Sequence, residues 1–298
     1  MIPFYLKKWY LDLISDDGVI LYIYFIAARI AGIRWGNVSA HLTPADGKSI
    51  RSSINRRVAL LDSSRSAACG RSFLANESGG SHVHLELPQL EIDLRYQSAG
   101  ESWAPGEDGV LLRRNGQCLS WNVPAPAAAA EGVIRSDRQE WHVRGTGYQD
   151  IVEMTLPPWR LPIAELAWGR AHCGGHTVVF DRMRMIDGTC LQFAMLRRGI
   201  ADPATEEFQE FAIEPDKSDP ITVLRHESFT LHLAQRHILE QGAIAAGGEI
   251  KSRLLAKCLA RSSGNPIEKK MAAEAELSIG GGVFRGWAIH ERVSWRWA

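Results

Sequence analysis

Short strand-like runs, punctuated by turn residues at intervals of about ten residues, constrain this chain more than any other feature. In the first half "KKWYLDL", "GVILYIYFIAARI", "SHVHLELPQLEIDLRY", "GVLLRRNGQCLSWNV" and "QEWHVRGTGY" follow one another, bounded by Gly, Asp, Asn and Pro. In the second half "IAELAWGRAHCGGHTVVFDRMRMIDGTCLQFAMLRRG" reads as three strands with turns at "CGG" and "DG"; "FTLHLAQRHILEQG" and "GVFRGWAIHERVSWRW" come later. This pattern predicts an all-β chain, sandwich or barrel. There is no short-period repeat and no heptad. A helix is expected over 265–277 ("NPIEKKMAAEAEL"), and 247–264 ("GGEIKSRLLAKCLARSSG") is compatible with a second. The polar stretch 51–72 reads as a long loop, and "APAAAAEG" (125–132) as an edge strand or loop. Both halves of the 298 residues are β-rich, so two domains are expected, 1–155 and 156–298.

Composition removes several classes of function. With 34 basic and 34 acidic residues the formal charge is zero, which argues against a phosphate-tracking surface and a nucleic-acid partner. Cys69, Cys118, Cys173, Cys190 and Cys258 are scattered, with no C-x-x-C, which fits a reducing compartment better than a disulfide framework. "MIPFYLKKWYLDL" lacks the three-part pattern of a signal peptide. The apolar run Val19 to Ala28 is too short to span a bilayer. A cytoplasmic protein without stable membrane insertion is expected. No P-loop, G-x-S-x-G or dinucleotide fingerprint stands in its required context, and "IGGGVFRG" reads as a turn, so no cofactor is expected. Oligomeric state is not legible.

Chemistry concentrates in "GTGYQDIVEM", Gly145 to Met154. Residues two apart in a strand share a face, so Tyr148 and Asp150 lean together. On a surface that pair is ordinary; inside an apolar barrel it is a phenol beside a carboxylic acid that burial keeps neutral. Ten tryptophans supply aromatic faces, with Trp9, Trp121, Trp141 and Trp168 in strand-like runs. Such faces either fill core or stabilise a developing cation. Trp168, Arg170 and His172 alternate onto one face, where Arg170 either meets a carboxylate or phosphate end of a ligand or pairs with Asp150 or Asp12. His82, His84 and Glu86 also share a face, but the outer two are spread by about 14 Å, too far for all three to hold one metal.

"WYLDLISDDG" (Trp9 to Gly18), "WNVPAP" (Trp121 to Pro126), "GTGYQD", "LAWGRAHCGGHTVVFD" (Leu166 to Asp181) and the final "GWAIHE", taken in this order, resemble the hydroxyneurosporene synthase family, the carotenoid 1,2-hydratase-like or AttH-like proteins. The resemblance implies two lipocalin-like antiparallel β-barrels in tandem, with Asp150 as proton donor and Tyr148 beside it. The chain departs from the family pattern at Gln149, where His is common, and in the "IVEM" that follows. An enzyme acting on an apolar, isoprenoid-like small molecule is therefore expected, by acid-initiated cyclisation, isomerisation or hydration in a barrel cavity. Catalysis is expected from Asp150 and Tyr148, and substrate contact from Trp9, Trp121, Trp168, Arg170 and His172. The alternatives are a pericyclic, Diels–Alder-type cyclase, a non-catalytic carrier of a lipophilic ligand, and a metal-dependent cupin-type enzyme using His82 and His84.

Overall fold

The computed structural model describes residues 3–45, 48–60, 66–98, 100–198, 205–215, 221–243 and 264–296. Two compact units divide the chain, Met1–Pro157 and Pro158–Ala298. The first contains β1 (Phe4–Ser15), β2 (Ile20–Ile30), β3 (Ile33–Thr43), β4 (Ile50–Asn55), β5 (Ala59–Leu60), β6 (Ala67–Cys69), β7 (Ser72–Glu77), β8 (Gly80–Glu86), β9 (Glu91–Ser98), β10 (Val110–Arg114), β11 (Gln117–Arg135) and β12 (Glu140–Met154). The second contains β13 (Ile163–Cys173), β14 (His176–Met185), β15 (Cys190–Arg197), β16 (Thr205–Phe208), β17 (Ala212–Pro215), β18 (Ile221–His226), β19 (Phe229–Ala243), β20 (Ile267–Ile279) and β21 (Gly282–Ser294). The only helical turn among the described residues is Pro158–Arg160. None of their helices is long and apolar enough to cross a membrane.

Both sheets follow one plan. Most strands pair antiparallel with a neighbour in sequence, and the first strand of each unit pairs with its last. In the first unit the order is β4-β3-β2-β1-β12-β11-β9-β8-β7-β6-β5, with β10 alongside β11; in the second it is β16-β15-β14-β13-β21-β20-β19-β18-β17. Two-residue hairpins hold the register. Asn115–Gly116 and Gly174–Gly175 have positive φ at both positions, the turn whose twist suits paired strands. A single apolar cluster draws on strands from β1 to β12, including Leu11, Ile23, Val38, Ala67, Leu74, Val83, Leu94, Ala130 and Ile151. A sheet whose distant strands share one core must curl around it. A separate cluster, with Ala171, Phe180, Leu196, Leu231, Ala275 and Ala288, fills the second unit. The chain is all-β, with two β-sheet domains in tandem.

Three local expectations need correction. Residues 265–277 are not helical: β20 occupies most of them, paired with β19 and β21. Their Ala, Glu and Lys favour helix intrinsically, but Ala273, Ala275 and Leu277 are core residues while Glu274 and Glu276 point outward, a period of two that only a strand satisfies. The stretch 51–72 carries most of β4 and all of β6, with β5 between them, rather than one loop. "APAAAAEG" lies in the middle of β11, between β9 and β12. Its register to β12 shifts between Asn122 and Ala125 and again between Ala125 and Ala128. Pro124 and Pro126 fall in those breaks, where no ladder N–H is demanded of them. Of the segment 247–264, all but Gly264 lies outside the described residues, as does Cys258; Cys69, Cys118, Cys173 and Cys190 are free thiols.

Candidate functional site

Strand β1 has two buried faces. Trp9, Leu11 and Leu13 enter the apolar cluster, and so does Ile151 of β12. Tyr10 and Asp12 leave β1 on the opposite side, as Tyr148 and Asp150 leave β12. The pair expected inside a barrel therefore sits on the sheet face turned away from the first unit's core, because alternation gives the inward positions to Gly145, Gly147, Gln149 and Ile151. The two glycines of "GTGYQD" have a steric cause. A Cβ on Gly145 would stand 2.2 Å from the Ile14 carbonyl oxygen, and one on Gly147 2.5 Å from the Tyr96 ring. Only bare backbone lets β12 lie so close to its neighbours.

The antiparallel register sets Tyr10 opposite Asp150 and Asp12 opposite Tyr148. Two Tyr-x-Asp pairs thus cross on neighbouring strands. The Tyr10 hydroxyl donates to Asp12 Oδ2 at 2.9 Å, and the Tyr148 hydroxyl to Asp150 Oδ2 at 3.1 Å. All four side chains are at most 4% exposed. Strand β2 adds Tyr24 opposite Tyr10 and Tyr22 opposite Asp12, and β3 adds His41 opposite Tyr22. Tyr22 Oη lies 2.8 Å from His41 Nδ1. Ring centroids are 5.3 Å apart for Tyr10 and Tyr24, 5.8 Å for Tyr22 and Tyr24, and 6.1 Å for Tyr10 and Tyr148. Four of the chain's six tyrosines line this one face. Trp121 joins it from β11, opposite Val152, with its ring edge-on to Trp103 at 5.1 Å.

Of the residues expected to act, the first sheet brings together Tyr148, Asp150 and Trp121. Trp9 belongs to the other side of β1, fully buried in the apolar cluster, with Lys7 Nζ 5.5 Å from its ring centroid. Trp168, Arg170 and His172 lie in the second unit and share a face of β13, opposite the side that gives Ala171 and Cys173 to the core. Arg170 is fully buried. His172 Nδ1 is 3.0 Å from Thr177 Oγ1, and burial, then the charges of Arg170 and Arg197, push this imidazole well below its ordinary range, so it is neutral. Trp168 is capped by Lys270 Nζ at 5.4 Å, and that ammonium hydrogen-bonds Glu291 and lies 3.6 Å from Glu268.

His82 and His84 turn outward, and both are held by Asp93, at 3.1 and 3.0 Å. Burial raises the Asp93 carboxyl, but the hydrogen bonds from His84 and His82 outweigh it and hold the group below its ordinary value. Among the described residues no three His, Cys, Asp or Glu side chains converge as a metal centre requires.

The residues of this face missed in the sequence are Tyr10, Tyr22, Tyr24 and His41, and Asp12 was named there only as an alternative partner of Arg170. A signal for the three tyrosines was present: "YLD" repeats the Y-x-D of "YQD", and "YIY" places two phenols on one face.

No protein-family model and no curated sequence matches the chain. Solved structures do. A Nitrosomonas europaea protein assigned as AttH superposes with a TM-score of 0.67 at 16% identity, covering 96% of this chain and 91% of its own. The chain has the same fold. CghA superposes with a TM-score of 0.66 at 14% identity, over 98% of this chain and 88% of that one. Kievitone hydratase from Nectria haematococca gives 0.64 at 12% identity, over 99% and 90%. All three similarities run through both units.

A second buried histidine carries a pH dependence. His290 lies on β21 on the same side as Ala288, opposite Gly169 and Met271. Gly169 has no side chain because a Cβ there would meet the Phe180 ring at 2.5 Å and His290 Cβ at 2.9 Å. Burial first, then Arg292, Lys269 and Lys270, push the imidazole down to about 3. The unfolded chain takes up this proton near pH 6.5 and the folded chain only near 3, so stability is complete above about 6.5 and falls as pH drops between those values. The expected loss is about 1.4 kcal/mol per pH unit from this residue. Urea midpoints of the wild type and His290→Leu between pH 7.5 and 4.5 measure it; equal slopes would show that His290 is not held neutral.

Proposed function

We propose that the chain is an enzyme that protonates an apolar, isoprenoid-like substrate on carbon, with Asp150 as the acid and Tyr148 as its orienting partner. The observation that carries this reading is the crossed pair of buried Tyr-x-Asp dyads on β1 and β12. Protonating an unactivated alkene needs a carboxylic acid in its neutral form, and two buried carboxyls on adjacent strands cannot both ionise cheaply. Tyr148 donates to Oδ2 of Asp150 and so orients the carboxyl that carries the acid proton.

Transfer of that proton to one alkene carbon consumes the π bond, puts a cation on the other carbon and leaves Asp150 as carboxylate. The rings of Tyr10, Tyr24, Tyr148 and Trp121 then face the charge, each contributing about 0.5–2 kcal/mol where its face is presented. Attack by a second alkene followed by proton loss gives cyclisation; proton loss alone gives isomerisation; attack by water followed by loss of a proton from the oxonium gives hydration, and in each case the Asp150 carboxylate takes the proton back. We favour cyclisation or isomerisation, since Gln149 faces the core and places no base between Tyr148 and Asp150. Hydration is the second reading, supported by the likeness in fold to an enzyme named as a hydratase. In the second unit we assign Trp168, Arg170 and His172 to ligand contact, a neutral imidazole beside a buried guanidinium suiting a polar ligand group.

The test is to identify by mass spectrometry the apolar molecule that copurifies with the protein and to follow its turnover in D2O. Acid initiation places one solvent deuteron on carbon in the product. An unlabelled product would assign the chain to pericyclic chemistry, and a ligand recovered unchanged would make it a carrier.

A further inference from the structure

Lys7 and Lys8 leave β1 on opposite faces and meet different company. Lys7 shares the core side with Trp9, is buried, and pairs with Glu153 at 3.1 Å. Lys8 lies on the side of Tyr10 and Asp12, opposite Ile26 of β2 and Val152 of β12. Its ammonium stands 5.7 Å from the Tyr24 ring centroid. Among the described residues no carboxylate comes within ion-pair distance of it. The tyrosine–aspartate face thus carries at one end a partly covered ammonium balanced only by a ring.

That charge works against the chemistry of the face. Tyr10, the next residue of β1 on this side, stands opposite Asp150. Lys8 and Asp150 are therefore diagonal neighbours, about 7–8 Å apart between Cα atoms. Left uncompensated, the ammonium favours the ionised form of Asp150 and repels a cation formed beside it. An anion against Lys8 removes both effects. The groups around it, Ile26, Val152 and the Tyr24 ring, are apolar or aromatic, and such a setting strengthens a charge pair.

We propose that Lys8 binds the anionic end of the substrate, and that the substrate is an isoprenoid-like chain ending in a carboxylate. The proposal rests on Asp150 being the acid, and adds the polar end of the molecule on the same face. One ammonium balances one negative charge, as a carboxylate carries, whereas a diphosphate calls for several cations. With the carboxylate held at Lys8, the short diagonal to Asp150 places the alkene that takes the proton towards that end of the chain.

cis-Parinaric acid and its methyl ester make a matched pair of probes, conjugated tetraenes that fluoresce on leaving water and differ by one negative charge. At low ionic strength the wild type is expected to bind the acid about tenfold more tightly than the ester, the low end for a hydrogen bond to a charged group. Lys8→Met keeps an aliphatic stem over Tyr24 and should lose that preference while binding the ester as the wild type does. Lys8→Arg, which keeps the charge, should retain it. A wild type that binds both probes equally, or a preference that survives in Lys8→Met, overturns the carboxylate anchor and leaves Asp150 to be judged by deuterium incorporation alone. A wild type that binds neither probe overturns the anchor and the lipophilic site together.

Discussion

Asp150→Asn is expected to lower turnover at least about a hundredfold, the scale of a lost general acid, while ligand binding is retained. The amide keeps the shape of the carboxyl and can still accept from the Tyr148 hydroxyl, so the buried hydrogen bond at 3.1 Å survives. What disappears is the transferable proton. Asp12→Asn has a different expected result. It preserves the Tyr10 contact but removes the second ionisable member of the pair, so Asp150 is expected to ionise more readily and the alkaline limb of activity, where the acid loses its proton, moves to lower pH. Measuring turnover against pH for both variants, with binding followed separately, distinguishes the roles. Unchanged turnover in Asp150→Asn would remove that residue from the mechanism and leave substrate folding or carriage.

Lys270→Met is expected to cost about 3–5 kcal/mol of stability, the range for breaking a buried ion pair from one side. Lys270 is 1% exposed and its ammonium serves Glu291, Glu268 and the face of Trp168. Removing it takes the Lys270 charge away from two carboxylates that are each at most 16% exposed. Adding Glu291→Gln to the same chain should restore more than half of the loss, because the penalty comes from the stranded charge rather than from the missing contact. Guanidinium denaturation of the two proteins checks both figures. A single-variant cost below about 1 kcal/mol, the value typical of exposed pairs, would show that water reaches this cluster.

The fold was legible in the sequence because turn chemistry and alternation are local. Gly174–Gly175 announces a hairpin wherever the strands finally lie, and Asn115–Gly116 carries the same signal inside a run read as one strand, which the structure divides into β10 and β11. Residues 265–277 misled because composition and period disagree there: Ala, Glu and Lys favour helix, and only the alternation of Ala273, Ala275 and Leu277 with Glu274 and Glu276 reveals the strand. The site was half legible. That Tyr148 and Asp150 share a face follows from strand geometry alone. Which face it is depends on whether 148 or 149 points to the core, and that is fixed by Gly147 lying under Tyr96 and by the pairing of Leu11 with Gln149. Such contacts join residues far apart in the chain. The second dyad was hidden for the same reason, since nothing local brings residue 12 beside residue 148. Trp9, two positions from Leu11 and one from Tyr10, shows how a single step along a strand separates a core residue from one on the site face.

The pairing of first strand with last has a consequence for biogenesis. β1 leaves the ribosome more than a hundred residues before β12, yet β1 lies between β2 and β12. Until then Tyr10 and Asp12 ride on a hairpin with one open edge, and the phenol–carboxyl face is half built. Long-range closures of this kind are slow, because loop entropy must be overcome before the contacts reward it. The step that seals the first unit also sets Asp150 beside Tyr10, so a nascent chain completes its phenol–carboxyl face only when the open edge of β1 is closed.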